Sequence, residues 1–220
     1  MRDFKFTCRS DLIYQYKKLL SESNNIITTT CEVGVWTAIY SCDIVSRLKD
    51  TIQKHYMVDA WAPIDNYNDD CNKSLEEFEN IFKRAKDKMN SIDIESDKLI
   101  YLRGLSQEMA DQIPDESLDF CYIDARHDYL GCKLDIESYW RKLKPGRMMA
   151  GHDYLTAEEC SVLLKKLGHN LPDQKWEVCC DGSINHSAVK GAVNEFAKKH
   201  DLNVFVSTKD NWPTWAFFKP

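Results

Sequence analysis

The 220-residue chain is predicted to form an α/β domain with a doubly wound parallel sheet. Short apolar runs alternate with amphipathic helical patterns from about residue 26 onward, as successive βαβ units require. Polar or acidic residues end the first, second, fourth and fifth runs. Open parallel sheets bind ligands at the edge where their strands end, so these residues are candidates for a functional site.

Composition favours one globular domain, residues 1–220, that acts on a small molecule. Hydrophobic residues at 43% and charged residues at 29% are ordinary values for such a domain. The net charge of -6 disfavours nucleic-acid binding, which needs a basic face. Apolar runs are too short for a signal peptide or a membrane span, which predicts a cytoplasmic protein without a membrane partner. Nine cysteines without a CxxC pair indicate reduced packing residues.

The first βαβ unit follows an N-terminal segment, residues 1–25, whose apolar spacing predicts a helix over 9–23. Residues 26–35 are rich in β-branched side chains and predict a strand that ends in Glu32-Val33-Gly34. A helical pattern follows over 38–48. The glycine turn could present backbone N–H groups to a ligand, or Gly34 could simply supply a positive φ. The turn lacks the GxGxxG spacing of dinucleotide-binding turns, which counts against a dinucleotide cofactor.

The second strand is predicted over residues 55–60 and carries Asp59 near its end. An acid at this place can accept hydrogen bonds from ribose hydroxyls, although a solvated strand-end acid is the plain alternative. Residues 64–72 are predicted to be a loop. A capping box at Ser74 then starts a scaffold helix over 75–89.

The most informative stretch is 118–154, after a strand at 98–103 and a short helix at 106–113. An apolar run stops at Asp124, and a helical pattern reaches residue 143 before the stop signal Pro145-Gly146. A second run, residues 148–151, stops at His152-Asp153. Parallel neighbouring strands end at the same edge, so Asp124 and Asp153 should lie close together and suit a hydroxyl, a cation or both. The alternative is that both aspartates cap helices.

The last third of the chain is predicted to contain a substrate-side insertion and the elements that close the sheet. A helix over 158–167 precedes an aperiodic stretch, 168–186, so residues 155–187 are expected to form a loop or lid insertion on the substrate side. A helix is predicted over 188–199. Strands at 202–207 and 215–218 are expected to close the sheet as an antiparallel hairpin.

From about residue 26 to the end, the sequence resembles the class I S-adenosylmethionine-dependent methyltransferases. The resemblance rests on EVGVWTAIYS, VDAW, FCYIDARHDY and LKPG followed by GHDY, in this order. It implies a Rossmann-like sheet of seven strands in the order 3-2-1-4-5-7-6, with the last strand antiparallel. Two departures from the family pattern are Ala38 and Arg147, each at a position where glycine is frequent. Ala38 is expected to narrow the cofactor pocket slightly, and Arg147 is expected to affect local conformation more than chemistry.

The resemblance also implies a role for individual residues. Cofactor binding falls to Glu32, Gly34, Val35 and Trp36 at the methionine end, Asp59 at the ribose, Ala60 and Trp61 beside the adenosine, Ser106 near the adenine, and Asp124. The metal-dependent, catechol-type branch places metal ligands at Asp124, His152 and Asp153, and a base at His127. A histidine ligand disfavours Mg²⁺ and favours softer ions such as Mn²⁺ or Zn²⁺.

These observations predict S-adenosylmethionine-dependent methyl transfer to a hydroxyl of a small molecule or a sugar. His127 would act as the general base beside Asp124, because its ordinary pKa of about 6.5 suits neutral pH. A divalent cation, Mg²⁺ or Mn²⁺, is an optional part of this prediction. The alternatives are a nucleotide-cofactor oxidoreductase on the same sheet and a methyltransferase-like domain that binds without catalysis. A homodimer is left open.

Overall fold

The computed structural model describes residues 4–171 and 174–220. It contains a seven-stranded sheet in the order β3-β2-β1-β4-β5-β7-β6. Strand β7 is antiparallel to both of its neighbours, and the other strand pairs are parallel, which confirms the predicted fold. The strands are β1 (Thr29–Val33), β2 (Lys54–Asp59), β3 (Leu99–Arg103), β4 (Leu118–Ile123), β5 (Leu143–Gly151), β6 (Phe205–Val206) and β7 (Trp215–Phe218).

Helices cover both faces of the sheet. Buried side chains of the first three helices pack on one face, and those of the fourth, fifth and seventh pack on the other. Burial on both faces explains why β4 is a continuous apolar run apart from Asp119. The helices are α1 (Arg9–Ser21), α2 (Ile39–Leu48), α3 (Leu75–Asn90), α4 (Ser106–Ala110), α5 (Tyr129–Trp140), α6 (Ala157–Lys166) and α7 (Ala188–Lys199).

The sheet register brings the predicted site residues to one edge. Val33 of β1 lies opposite Ile123 of β4, and Ile123 lies opposite Gly151 of β5. The residues that follow these positions therefore emerge side by side. As a result, Asp124 and the pair His152-Asp153 are neighbours, as the sequence predicted.

Several predicted boundaries were wrong, most clearly around Pro145. Helix α5 ends at Trp140, and Pro145-Gly146 lies within β5 instead of separating a helix from a strand. Leu143 continued the helical pattern, but its side chain is buried as the first residue of the strand. The strand register shifts between Leu118 and Phe120, and this irregularity accommodates the turn at Gly146, whose φ is +73°.

The first and sixth strands are also shorter than predicted. Val35 leaves β1 because its N–H bonds the side chain of Asp59 instead of a neighbouring strand. The predicted insertion at 155–187 contains α6 and an isolated bridge between Val178 and Ile184; residues 172–173 lie outside the described residues. Within the described ranges, no helix combines the length and the apolar character needed to span a bilayer.

Candidate active site

A cavity of about 390 Å³ opens where β1, β2 and β4 end. Its volume lies within the range of roughly 300–1,000 Å³ that is usual for small-molecule sites. The predicted residues that line it are Glu32, Gly34, Val35, Trp36, Asp59, Ala60, Ser106, Asp124, His127 and Asp153. The sheet therefore gathers most of the predicted cofactor and catalytic residues around one space.

Gly34 is required by both its conformation and its surroundings. Its φ is +87°, and a Cβ atom on it would lie 1.9 Å from the carbonyl oxygen of Asp124. Any side chain would therefore push β1 away from the loop after β4. The two explanations left open by the sequence, a positive φ and a close approach, both apply here, and the close approach is to the chain's own backbone.

Asp59 organises the turn beside the cavity. One carboxylate oxygen, Oδ2, accepts hydrogen bonds from the backbone N–H groups of Val35 and Trp36, at 2.9 and 2.8 Å. The other accepts the N–H of Trp61 at 2.8 Å. Burial raises the pKa of Asp59, although these three N–H bonds oppose the shift. Trp61 itself does not line the cavity, because its ring is fully buried and packs on Phe82.

Ala38 takes the place of a frequent glycine without entering the cavity. It adopts a left-handed conformation, with φ of +58°, as the N-cap of α2. Its methyl group is fully buried in an apolar cluster with Val45 and Met57. The methyl group therefore packs under the helix, and the expected narrowing of the pocket is not seen. Alanine instead of the frequent glycine at this position therefore affects the backbone conformation of the N-cap and not the space available to a ligand.

Glu32 lies at the head of a buried polar chain. The hydroxyl of Ser41 donates to its carboxylate, Ser41 is 2.9 Å from Nε2 of His55, and Nδ1 of His55 is 2.7 Å from the hydroxyl of Thr30. Burial is the main reason that the pKa of Glu32 rises to about 8, and the nearby charge of Asp124 adds to the rise. A cationic ligand would favour the ionised carboxylate.

Asp124 and Asp153 line the other side of the cavity, and His152, which does not line it, lies beside both. Nδ1 of His152 lies 3.0 Å from Asp153 Oδ1 and 3.8 Å from Asp124 Oδ1. Neither aspartate caps a helix: α5 is capped by Asp128 and α6 by Thr156. The capping alternative is therefore wrong for this pair.

The three residues have the chemistry of a divalent-cation site. Each offers one ligand atom, and these atoms lie within 4.8 Å of one another. Burial raises the pKa of Asp124, whereas the pKa of Asp153 is lowered because the charge and hydrogen bond of His152 outweigh burial. Two carboxylates and an imidazole fit Mn²⁺ better than they fit Mg²⁺.

His127 is held between two carboxylates. Its Nδ1 lies 2.8 Å from Asp69 Oδ2, and its Nε2 lies 3.2 Å from Asp153 Oδ2. Its backbone N–H donates to the hydroxyl of Tyr67. Burial disfavours the imidazolium, but the charge and hydrogen bond of Asp69 and the charge of Asp153 outweigh it and raise the pKa of His127 to about 10. The ordinary pKa assumed from the sequence therefore does not apply to His127 in this arrangement.

Sequence reasoning missed the residues that hold His127. Asp69 and Tyr67 lie in the stretch predicted only as a loop, and Asp69 also accepts hydrogen bonds from Trp176 at 2.9 Å and Gln174 at 3.1 Å. The ring of Trp176 packs on His127, with centroids 4.8 Å apart. No local pattern marks a contact between residues separated by such distances along the chain. The only indications in the sequence were an aromatic residue, Trp176, and an amide, Gln174, in a stretch predicted to be a loop.

The comparison with protein families decides between the enzyme classes that this geometry allows. Residues 31–154, more than half of the chain, match the family model described as a methyltransferase domain. The chain belongs to this methyltransferase family. The matched segment begins in β1 and ends just after Asp153, so it contains the strand ends that form the cavity. No curated protein sequence matches the chain significantly.

Solved structures share the fold at low sequence identity. The O-methyltransferase NovP has a TM-score of 0.61 and 16% identity, over 96% of this chain and 79% of its own. A Staphylococcus aureus protein, provisionally described as a caffeoyl-CoA O-methyltransferase, has a TM-score of 0.60 and 14% identity, over 94% and 82%. The N-methyltransferase NodS from Bradyrhizobium japonicum WM9, solved with S-adenosyl-L-homocysteine, has a TM-score of 0.53 and 11% identity, over 96% and 86%. The family and the fold together identify a class I S-adenosylmethionine-dependent methyltransferase.

Proposed function

We propose that this methyltransferase transfers the methyl group to a hydroxyl of a small molecule or saccharide. The proposal is carried by the position of His127, which lines the cavity with its Nε2 3.2 Å from Asp153, while Asp69 lies 2.8 Å from Nδ1. A hydroxyl is a poor nucleophile until its proton is removed or masked, so an O-methyltransferase needs such a group. The neighbouring O-methyltransferases, NovP and the Staphylococcus aureus protein, support the same acceptor chemistry.

The cofactor supplies an activated methyl group, so the protein's work is binding, orientation and proton removal. The cavity fits such a cofactor, because Glu32 and Asp124 can face its cationic groups and Asp59 lies where β2 ends. Alignment of the acceptor oxygen with the methyl group can contribute about 7–11 kcal/mol to catalysis.

His127 is proposed to take the acceptor proton. Asp69 fixes the orientation of the ring, and Asp153 stabilises the imidazolium that forms. The imidazole must be neutral at the start of the reaction, whereas the charges of Asp69 and Asp153 raise its pKa to about 10. Positive charge bound nearby lowers the pKa of an imidazolium, so binding of the cationic cofactor favours release of this proton.

A divalent cation is a second part of the proposal. Asp124, His152 and Asp153 would hold it, and it would lower the pKa of a bound acceptor hydroxyl. The acceptor is proposed to reach this corner from the side of Trp176 and the segment 174–186, whose polar and aromatic side chains suit a saccharide or a phenol. A homodimer and a cytoplasmic location also remain proposals.

The first experiment measures thermal melting with S-adenosylhomocysteine, NAD and Mn²⁺, each added separately. A ligand present at 100 times its dissociation constant stabilises the protein by about 2.7 kcal/mol. Stabilisation by the adenosyl compound is expected. Stabilisation by NAD alone would favour the oxidoreductase.

The second experiment incubates the protein with methyl-labelled S-adenosylmethionine and a panel of sugars, catechols and amines, with and without chelator. Label in an ether linkage would support O-methylation, and label only on nitrogen would contradict it. Full activity in chelator would remove the cation from the proposal. Cofactor binding without transfer to any acceptor in the panel or in host extract would favour a binding domain.

A further inference from the structure

Arg9 lines the cofactor cavity although it lies outside the segment that matches the methyltransferase family. It is the first residue of α1, and its guanidinium enters the cavity from the N-terminal side. Nη1 lies 3.2 Å from Asp124 Oδ2, and the guanidinium carbon lies 5.0 Å from the centre of the Tyr40 ring. Its side chain is about one third exposed, at 31%, so it faces both the cavity and solvent.

The backbone of Arg9 is fixed at both polar groups. Its N–H donates to Asp210 Oδ2 at 2.9 Å, and its carbonyl accepts the hydroxyl of Tyr40 at 3.2 Å. Asp210 belongs to the loop between β6 and β7, and Tyr40 belongs to α2. Two separate elements therefore hold the start of α1 over the cavity, which makes Arg9 a prepositioned group.

The charges around Arg9 define what it can bind. Its acidic neighbours are Asp124 and Glu32, and their charges help to keep its pKa above the usual value against the effect of burial. The amino-acid end of S-adenosylmethionine carries an ammonium and a carboxylate. Two acids suit the ammonium, but they would repel the carboxylate unless a cation stands beside them.

Within the described residues, the other two cations that line the cavity have carboxylates other than Asp124 as their nearest partners. His127 lies between Asp69 and Asp153, and Arg126 lies 3.5 Å from Asp128. Of these three cations, Arg9 makes the shortest contact with Asp124, at 3.2 Å compared with 4.0 Å for His127. A guanidinium also offers two parallel N–H donors, which match a carboxylate.

We propose that Arg9 binds the carboxylate of the cofactor's methionyl group and so selects for the intact amino-acid end of the cofactor. Asp124 and the ring of Tyr40 hold the guanidinium in place. This inference rests on S-adenosylmethionine dependence, and it is independent of the acceptor and of the proposed O-methylation.

Binding measurements with three related ligands test the inference. Calorimetry compares S-adenosylmethionine, decarboxylated S-adenosylmethionine, which keeps the sulfonium and the ammonium, and 5′-methylthioadenosine, which lacks the whole amino-acid end. Arg9→Met is expected to weaken binding of S-adenosylmethionine about 10- to 100-fold, the usual range for a lost charge-assisted pair. Its affinity for the decarboxylated ligand and for methylthioadenosine should stay within about twofold of the wild type.

Two further proteins complete the experiment. Arg9→Lys keeps the charge but not the paired donors, and should fall between wild type and Arg9→Met. Lys17→Met removes a cation from the same helix, where the Lys17 side chain bonds the carbonyl of Arg47, and should leave all three affinities unchanged.

Equal weakening of S-adenosylmethionine and its decarboxylated form in Arg9→Met would overturn the inference, because the loss would then not involve the carboxylate. If Arg9→Met does not fold, Arg9→Lys and the wild type still decide: a wild type that binds both forms equally well refutes it. Failure of the wild type to bind any of the three ligands would instead refute the cofactor assignment.

Discussion

Strand β4 carries one aspartate at each end, and the two have opposite surroundings. Asp119, near its start, accepts hydrogen bonds from Thr28 and Thr29 on one oxygen and lies 2.8 Å from Lys144 on the other. Arg147 lies 3.3 Å from the same carboxylate. Asp124, just after the strand, has one guanidinium at 3.2 Å and two imidazoles at 3.8 and 4.0 Å.

The pKa values follow this difference. Burial alone would raise the pKa of Asp119, but the hydrogen bonds from Lys144, Thr28 and Thr29 outweigh it and lower the value. For Asp124 burial dominates, and the pKa is raised. The fully bonded carboxylate stabilises the fold. The incompletely bonded one retains capacity for a ligand, at some expense to stability.

The first prediction concerns Asp124, which follows β4 and lies in the candidate active site. Asp124→Asn keeps the shape but removes the charge, and is expected to reduce methyl transfer about 10²–10⁴-fold, the usual contribution of a group that assists proton transfer. Melting temperature should stay the same or rise, because the charge is buried and incompletely paired. The measurement combines a labelled-methyl assay with thermal melting. Undiminished turnover, or a large loss of stability, would show that Asp124 has a structural role instead.

The second prediction concerns Asp119, whose carboxylate is fully bonded near the start of β4. Asp119→Ala leaves two cations and two backbone N–H groups without their partner, and should lower the free energy of unfolding by about 3 kcal/mol. Turnover of the folded protein should be unchanged, because Asp119 lies at the opposite edge of the sheet. Urea denaturation monitored by tryptophan fluorescence measures the loss. A change below about 1 kcal/mol would place Asp119 among ordinary surface ion pairs.

The third prediction concerns Asp69, which is bonded like Asp119 but belongs to the active site. Asp69→Asn should reduce turnover at the high-pH plateau about 10- to 100-fold, the range seen when the hydrogen-bond partner of a metal-ligating histidine is removed. It should also move the rising limb of the pH–rate profile to lower pH. The reason is that the charge of Asp69 raises the pKa of His127.

The pH shift separates positioning from a merely structural role. Asp69→Glu keeps the charge and should retain the wild-type limb even if its plateau is lower. Cofactor affinity should be unaffected in both variants. A lower plateau with an unmoved limb in Asp69→Asn would mean that His127 does not titrate in the reaction.

The sequence predicted the neighbours of Asp124 better than it predicted the contacts of Asp69 and Asp119. Asp124, His127 and Asp153 follow apolar runs, and parallel strands bring such residues together, so their proximity could be inferred. Asp69 could not be inferred, because its contact with His127 joins a loop to a strand end 58 positions away. Arg147 was expected to affect local conformation, but its ion pair with Asp119 depends on a strand register that no sequence pattern specifies.

The smallest predicted effect is the pH dependence of the stability that the Asp119 carboxylate contributes. The pKa of Asp119 is lower in the folded chain than in the unfolded one, so its contribution to stability is fully present above about pH 4 and is lost as the pH falls through the folded value. Asp119→Asn has no such titration. The stability difference between wild type and Asp119→Asn should therefore be constant from pH 7 to about pH 5 and should narrow in stronger acid. Urea midpoints measured across this range check the prediction, with Asp111→Asn, an exposed ion-pair partner of Arg141, as the control that should follow the wild type closely. A difference that stays constant down to the lowest pH at which the protein folds would show that the hydrogen bonds to Asp119 do not depend on its charge.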